Sequence, residues 1–185
     1  LAERTQEYGT EFLLDAFVKD VEFGKEQSTV TYKHKGEEAK ATCRWVADAT
    51  SRHSFLKRKF GFEKPIDHAV NAVWWRLKGV IDITDWSQSE EWKNYPEVKL
   101  RYLSTVHFLD KGYWVWVIPL GTKNTSIGIV ADPAVHPFET FDTYEKSLEW
   151  LKVNEPLCYK MLEPETPNKM DFKILKHFAH HSGRL

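Results

Sequence analysis

The hexamer Trp114-Val115-Trp116-Val117-Ile118-Pro119 constrains this chain more than any other feature. Alternation along an extended strand puts Trp114, Trp116 and Ile118 on one face and Tyr113, Val115 and Val117 on the other. Both sets are apolar, so the strand is expected to be covered on both sides. Tyr113 before it and Leu120-Gly121-Thr122-Lys123-Asn124 after it read as a strand running into a turn. The chain holds eight Trp in 185 residues. An indole is a large flat surface with a single donor, suited to walling a pocket or to filling a core, and the hexamer's chemistry leaves both roles open.

The surrounding pattern is mixed. Residues 1–9 read as the end of a helix closed by Gly9, and residues 10–19, 28–34 and 38–47 as three strands joined by turns at Gly24-Lys25 and Lys35-Gly36. Val46 to Arg52 reads as a strand end turning into a helix, with Thr50 or Ser51 as cap and Gly61 as stop. The run 69–78 predicts a strand with Val73, Trp75 and Leu77 on one face and Trp74 and Arg76 on the other. Residues 80–96 are acidic and irregular and carry Trp86 and Trp92, as a functional loop or a surface insertion would. Residues 100–109, 113–120 and 125–131 predict three more strands, the last two joined by Thr122-Lys123-Asn124. Asp142 with Glu145 resembles a capping box opening a helix with Tyr144, Leu148 and Leu151 on one stripe, ended by Pro156. A shorter helix over 157–162, a loop over 163–167 and a strand over 171–178 complete the chain. The expected class is α+β: a mixed, largely antiparallel sheet with flanking helices, divided into residues 1–62 and 63–185.

Charge and cysteine usage narrow the partners. With 26 Lys+Arg against 27 Asp+Glu there is no basic excess for a nucleic-acid surface. No apolar stretch approaches the roughly 18 residues of a membrane span. Cys43 and Cys158 follow no metal or redox spacing and read as free thiols of a cytoplasmic protein. His177, His180 and His181 form an H-x-x-H-H cluster, but a strand would split them between two faces and no thiol or carboxylate stands nearby in sequence, so no metal is expected there. His107 reads as a buried, hydrogen-bonded structural histidine.

The hexamer resembles the W-x-W-x-I-P signature of the flavin-dependent halogenases of the tryptophan-halogenase type, within the FAD-dependent oxidoreductases and aromatic hydroxylases. Leu103 to His107, then Gly112-Tyr113-Trp114, then Thr125 to Asp132 look like one block of that family, with Val106 where asparagine is expected. Glu149-Trp150-Leu151 followed by Glu155-Pro156 is similar too, and the resemblance runs over nearly all of the chain. It implies part of an FAD-binding domain over 1–62, lacking the Gly-rich N-terminal βαβ unit, and a substrate-binding sheet over 63–185. None of the nine glycines forms a G-x-G pair and the chain begins without Met, so it reads as the middle of a longer protein. The family's catalytic lysine lies upstream of such a segment, and no residue here is assigned as catalytic.

The resemblance also implies the site residues. The backbone near Val18 would lie against the adenine side of FAD, and Asp48-Ala49-Thr50-Ser51-Arg52 is similar to the Asp-Ala-Ser/Thr-Gly-Arg turn that approaches the cofactor. Val18, Asp48, Ala49, Thr50 and Arg52 are thus the cofactor-binding candidates, and Ser51 stands where that turn has glycine; an ordinary capped helix is the other reading. Trp114, Trp116, Ile118 and Pro119 would wall the active site. The implied activity consumes reduced FAD, oxygen and halide to halogenate an aromatic or other electron-rich small molecule, with a separate flavin reductase as partner. An FAD-dependent hydroxylase or other monooxygenase, a reductase, and a non-enzymatic aromatic-rich binding module are the alternatives.

Overall fold

A computed structural model describes residues 2–183, with side chains described at all of these except positions 2, 85 and 96–99. The expectations at Leu1, Arg184 and Leu185 lie outside the described residues. The chain divides into two compact units, residues 1–64 with 182–185, and residues 65–181.

In the first unit, helix α1 (Ala2–Glu7) gives way to Gly9 at φ 83°. Strands β1 (Ala16–Phe23), β2 (Ser28–His34) and β3 (Glu37–Cys43) form an antiparallel meander. The first strand begins later than its sequence suggests, because Asp15 takes a left-handed φ of 57° and breaks the extended run. Val18 pairs with Tyr32 and Asp20 with Thr31, so Lys19 is a one-residue bulge. The β2–β3 hairpin closes through Lys35 and Gly36, at φ 49° and 92°, the two positive values that match a tight turn to strand twist. The third strand stops at Cys43 instead of reaching residue 47, and residues 44–50 run irregularly into a 3-10 turn (Ser51–His53) and helix α2 (Phe55–Lys59). Lys59 pairs with Asp20 and donates to the Val21 carbonyl at 2.7 Å, tying α2 to the bulged strand.

A short strand β4 (Glu63–Pro65) pairs with the last strand of the chain, β10 (His180–Ser182). The second unit is built on a five-stranded antiparallel sheet in the order β6-β7-β8-β5-β9, with β5 Asn71–Lys78, β6 Val106–Asp110, β7 Tyr113–Pro119, β8 Asn124–Ala131 and β9 Lys169–Leu175. The architecture is α+β. One face carries Val73, Trp75, Leu77, Val115, Val117, Ile127 and Ile129, all 0–1% exposed. Against it pack Phe138, Phe141, Tyr144, Trp150, Leu151, Cys158 and Leu162 from the segment holding helices α4 (Tyr144–Asn154) and α5 (Pro156–Leu162). The Tyr113 hydroxyl donates to the Glu155 carboxylate at 2.9 Å and joins β7 to the end of α4.

Several local expectations are corrected. Residues 100–103 belong to a 3-10 helix (Pro96–Leu103), not to β6, since Pro96 opens a helical turn at its first position. The cap of α4 is Thr143, whose hydroxyl accepts from the Lys146 N–H at 3.2 Å, while Asp142 instead binds the Lys146 ammonium at 2.8 Å. Pro156 opens α5. Helix α3 (Glu90–Asn94) and a 3-10 turn (Ile83–Trp86) order part of the acidic excursion. The terminal strand breaks at His177, φ 45°, whose N–H donates to the Asn71 side chain at 3.1 Å, so the three histidines do not share one strand. His107 is exposed, because β6 is an edge strand and His107 points to the uncovered face.

The hexamer strand is covered unequally. Tyr113, Val115 and Val117 are buried, whereas Trp114, Trp116 and Ile118 are half-buried, because the helices lie on the first face alone. On the second face Trp116 pairs with Gly128, which in turn pairs with Trp74. A Cβ on Gly128 would fall 2.2 Å from the Trp116 ring, so the indole lies across the glycine of the neighbouring strand. Gly128→Ala is expected to destabilise the protein by about 1–3 kcal/mol through overpacking. In a urea-unfolding double-mutant cycle Trp116→Leu should remove most of that cost, and strict additivity would contradict the contact.

Candidate functional site

The first unit holds a cleft of about 350 Å³ between β1–β2 and the segment that follows β3. Its sheet side is Ala16, Phe17, Val18, Val21 and Val30; its other side is Val46 to Thr50 with His53, Phe55 and Leu56. Four sequence-derived candidates, Val18, Asp48, Ala49 and Thr50, therefore line one cavity, and Arg52 does not. The apolar majority of that lining was not singled out in the sequence, since Phe17, Val30 and Leu56 carry no motif and meet only in three dimensions.

Asp48 organises the turn. Its carboxylate accepts from the Thr50 N–H at 2.9 Å, from the Thr50 hydroxyl and from the Leu56 N–H at 2.8 Å. Thr50 Oγ1 accepts from the Phe55 N–H at 3.0 Å, so the first turn of α2 is capped from residues 48 and 50 rather than by an N-cap side chain. The Thr50 hydroxyl is the main cause holding the Asp48 carboxyl below the usual aspartate range; burial opposes it, and the Leu56 and Thr50 N–H groups and His53 add to it. Asp48 is committed to this internal network, so the cleft is met by backbone and by Ala49 more than by the carboxylate. Ser51 has φ 53°, the left-handed geometry for which glycine is ordinarily used, and its side chain is exposed and does not line the cleft. The Ser51 side chain thus leaves the cavity open. A largely apolar cleft of about 350 Å³ lies at the lower end of small-molecule sites.

The second candidate feature is the tryptophan face of the other unit. Across the sheet run two rows of paired residues, His107-Trp116-Gly128-Trp74-Lys173 and Leu109-Trp114-Val130-Ala72-Leu175. Trp116 is pinned by its indole N–H, which donates to Ser126 Oγ at 3.1 Å. Val70, Ala72 and Val130 with Trp114, Trp116, Leu175, Phe178 and Ala179 form a separate apolar cluster here. Ile118 and Pro119 are half-buried at the end of the same strand. Ser126 and Gly128, which fix Trp116, carry no individual signal in the sequence, although both stand in the stretch Thr125 to Asp132. Both cysteines are free, and burial pushes the Cys158 thiol up out of the reactive range. Among the described residues no group of three or more His, Cys, Asp or Glu could hold a metal ion, and no helix is long and apolar enough to cross a membrane.

No protein-family model and no curated protein matches the chain. Solved structures do. A flavoprotein/dehydrogenase from Cytophaga hutchinsonii superposes with TM-score 0.68 at 19% identity, covering 100% of this chain and 42% of that one. The flavin-dependent brominase Bmp2 gives TM-score 0.67 at 20% identity over 98% of this chain and 43% of its own. CmlS, a flavin-dependent halogenase, gives 0.64 at 18% identity over 98% and 30%. The chain spans less than half the length of each of these. In fold it corresponds to part of the flavin-dependent halogenases and the flavoproteins similar to them.

Two outcomes follow from the turn. Because the Asp48 carboxyl titrates lower in the folded protein, its stabilisation is present above the ordinary value of 3.8 and is lost as pH falls through the lower folded value. Leu56 amide exchange should therefore accelerate as pH falls from about 5 to about 3, beyond the intrinsic pH dependence, and in Asp48→Asn should be fast throughout that range. Ser51→Gly should raise unfolding stability by up to about 1 kcal/mol by relieving the left-handed backbone, whereas a loss of similar size would contradict that conformation.

Proposed function

We propose that this chain is the central portion of an FAD-dependent, halogenase-like oxidoreductase that acts on an aromatic or other electron-rich small molecule. The observation that carries the reading is the W-x-W-x-I-P strand, standing with a half-buried indole face in a sheet whose fold is that of flavin-dependent halogenases. Residues 1–62 belong to the FAD-binding domain in this reading and 63–185 to the substrate-binding sheet. When bound, FAD supplies two-electron redox chemistry and the activation of oxygen. The cleft around Val18, Ala49 and Thr50 would take the flat adenine side of the dinucleotide, with Asp48 holding the turn and Arg52 available to its charged portion. Halogenase PltM has been solved with FAD and phloroglucinol, an electron-rich ring of the kind proposed as substrate.

The chain's own chemical contribution is positioning and water exclusion. Trp114 and Trp116 present rigid, apolar surface, Trp116 being fixed over Gly128 and by Ser126. Such a wall lowers the local water content at the substrate side and protects an oxidising species from hydrolysis. Ile118 and Pro119 close the strand end beside it. The protein works in a reducing cytoplasm, where two unpaired thiols are stable, and draws reduced flavin from a separate reductase.

A second reading, an FAD-dependent hydroxylase, dehydrogenase or reductase on the same fold, is favoured by the match to the Cytophaga flavoprotein/dehydrogenase. Product formed per flavin oxidised separates the two. In the protein that carries this chain, Trp116→Ala should lower halogenated product per reduced flavin consumed, measured on folded enzyme with chloride or bromide. Were Trp116 only core, the substitution would cost about 3–5 kcal/mol of stability and leave that ratio unchanged. Halide-independent product from the wild type would select the second reading.

A further inference from the structure

We propose that the acidic excursion of the second unit carries a binding site for an aromatic monocarboxylate, with the Arg101 guanidinium as its anion receptor. The guanidinium carbon of Arg101 lies 4.1 Å from the centroid of the Trp92 ring. Stacking covers one face of the guanidinium and leaves its planar edge of N–H donors as the part that can bind a ligand. Arg101 Nε is buried and has no hydrogen-bond partner, and no ion pair joins Arg101 to any carboxylate among the described residues. With Nε withdrawn from solvent, the terminal N–H groups of the guanidinium are the donors that an arriving anion meets.

The surroundings make this a built pocket. Trp92 is fixed by its indole N–H, which donates to the Thr84 carbonyl at 2.9 Å, and it packs against the main core, so the shelf under Arg101 does not swing away. A cavity of about 420 Å³ lies over the pair, lined also by Ser87, Ser89, Glu91 and Tyr95. The Ser87 and Ser89 oxygens accept from the Ser89 and Trp92 N–H groups at 3.2 and 3.3 Å, which orients both hydroxyls and leaves their own protons to donate. Arg101, two serine hydroxyls and a tyrosine thus line the same cavity.

The lining also selects the ligand. Glu91 also lines the pocket, and its carboxylate opposes a dianionic phosphate more strongly than a monoanion. Planar carboxylate fits the planar guanidinium edge in a bidentate manner, and the exposed Tyr95 ring offers a flat apolar surface to an aromatic body. Glu91 can accept a hydrogen bond from a ring hydroxyl or amine. The volume is at the lower end of small-molecule pockets, which suits a single-ring acid. This site is independent of the FAD reading, since every residue in it belongs to the second unit.

The test is a titration of the ¹⁵N-labelled chain with sodium benzoate, followed on the Arg101 Nε–H and Trp92 indole N–H resonances, with benzamide and inorganic phosphate as comparison ligands. Expected is a saturable shift of both resonances with benzoate, at least about tenfold tighter than with benzamide, and weakened at least about tenfold in Arg101→Lys, which keeps the charge but loses the fork. Arg101→Met should abolish it. Absence of a saturable shift, equal binding of benzamide, or phosphate binding as tight as benzoate would each overturn the assignment. The benzamide and phosphate comparisons are made on the wild type, so they decide the matter even where an Arg101 variant unfolds.

Discussion

Burial of one face of the five-stranded sheet is the constraint on which the second unit depends. Val73, Trp75, Leu77, Val115, Val117, Ile127 and Ile129 are almost wholly withdrawn from solvent by the segment running from Phe138 to Leu162. Each such side chain contributes about 1.5–3 kcal/mol of burial, enough to fix the register of β5, β7 and β8. A one-residue slip in any of them would send its apolar set to the other face. The register in turn determines which residues appear on the opposite face, and there it sets Trp74 and Trp116 on either side of Gly128. The indole face is therefore a consequence of packing on the far side of the sheet, which lets it be rigid without being fully buried.

The first unit solves a different problem with polar means. It buries few side chains, Val21 and Ser54 among them, and the geometry of its Asp48 turn comes from hydrogen bonds. Asp48 and Thr50 together satisfy the N–H groups that open α2, so the backbone at residues 49–51 is held in a tight bend without large apolar contacts. Ser51 accepts a left-handed conformation in that bend, a modest strain that the surrounding network sustains. Exposed apolar groups at Phe17 and Val18 then face a cleft instead of a core.

Much of this arrangement was legible in the sequence where periodicity was strong. The alternation in 71–78 and 113–119 reports which residues are buried because both strands lie against a single covered face. It misled on the second face of the hexamer strand: apolar composition alone cannot distinguish a covered face from a half-open one, and only the position of α4 and α5 decides that. Boundaries failed where single residues override a pattern, as at Asp15, Pro96 and His177, each of which redirects the backbone. The resemblance named Val18, Asp48, Ala49 and Thr50, which share one cleft, whereas Phe17, Val30 and Leu56 carry no local signal and join that cleft through long-range pairing. Arg101 on Trp92 was likewise invisible, since a cation and an indole nine positions apart in an irregular segment show no periodicity.

In the proposed reading the cleft beside the Asp48 turn receives the dinucleotide, and FAD affinity of a cleft-filling variant tests that reading most directly. Ala49 lines the cavity and is exposed, so Ala49→Trp would occupy the cleft without disturbing a core. In the protein that carries this chain, the FAD dissociation constant should rise at least about tenfold in Ala49→Trp, a loss of more than about 1.4 kcal/mol, with the unfolding midpoint preserved. An unchanged dissociation constant in the folded variant would contradict the account.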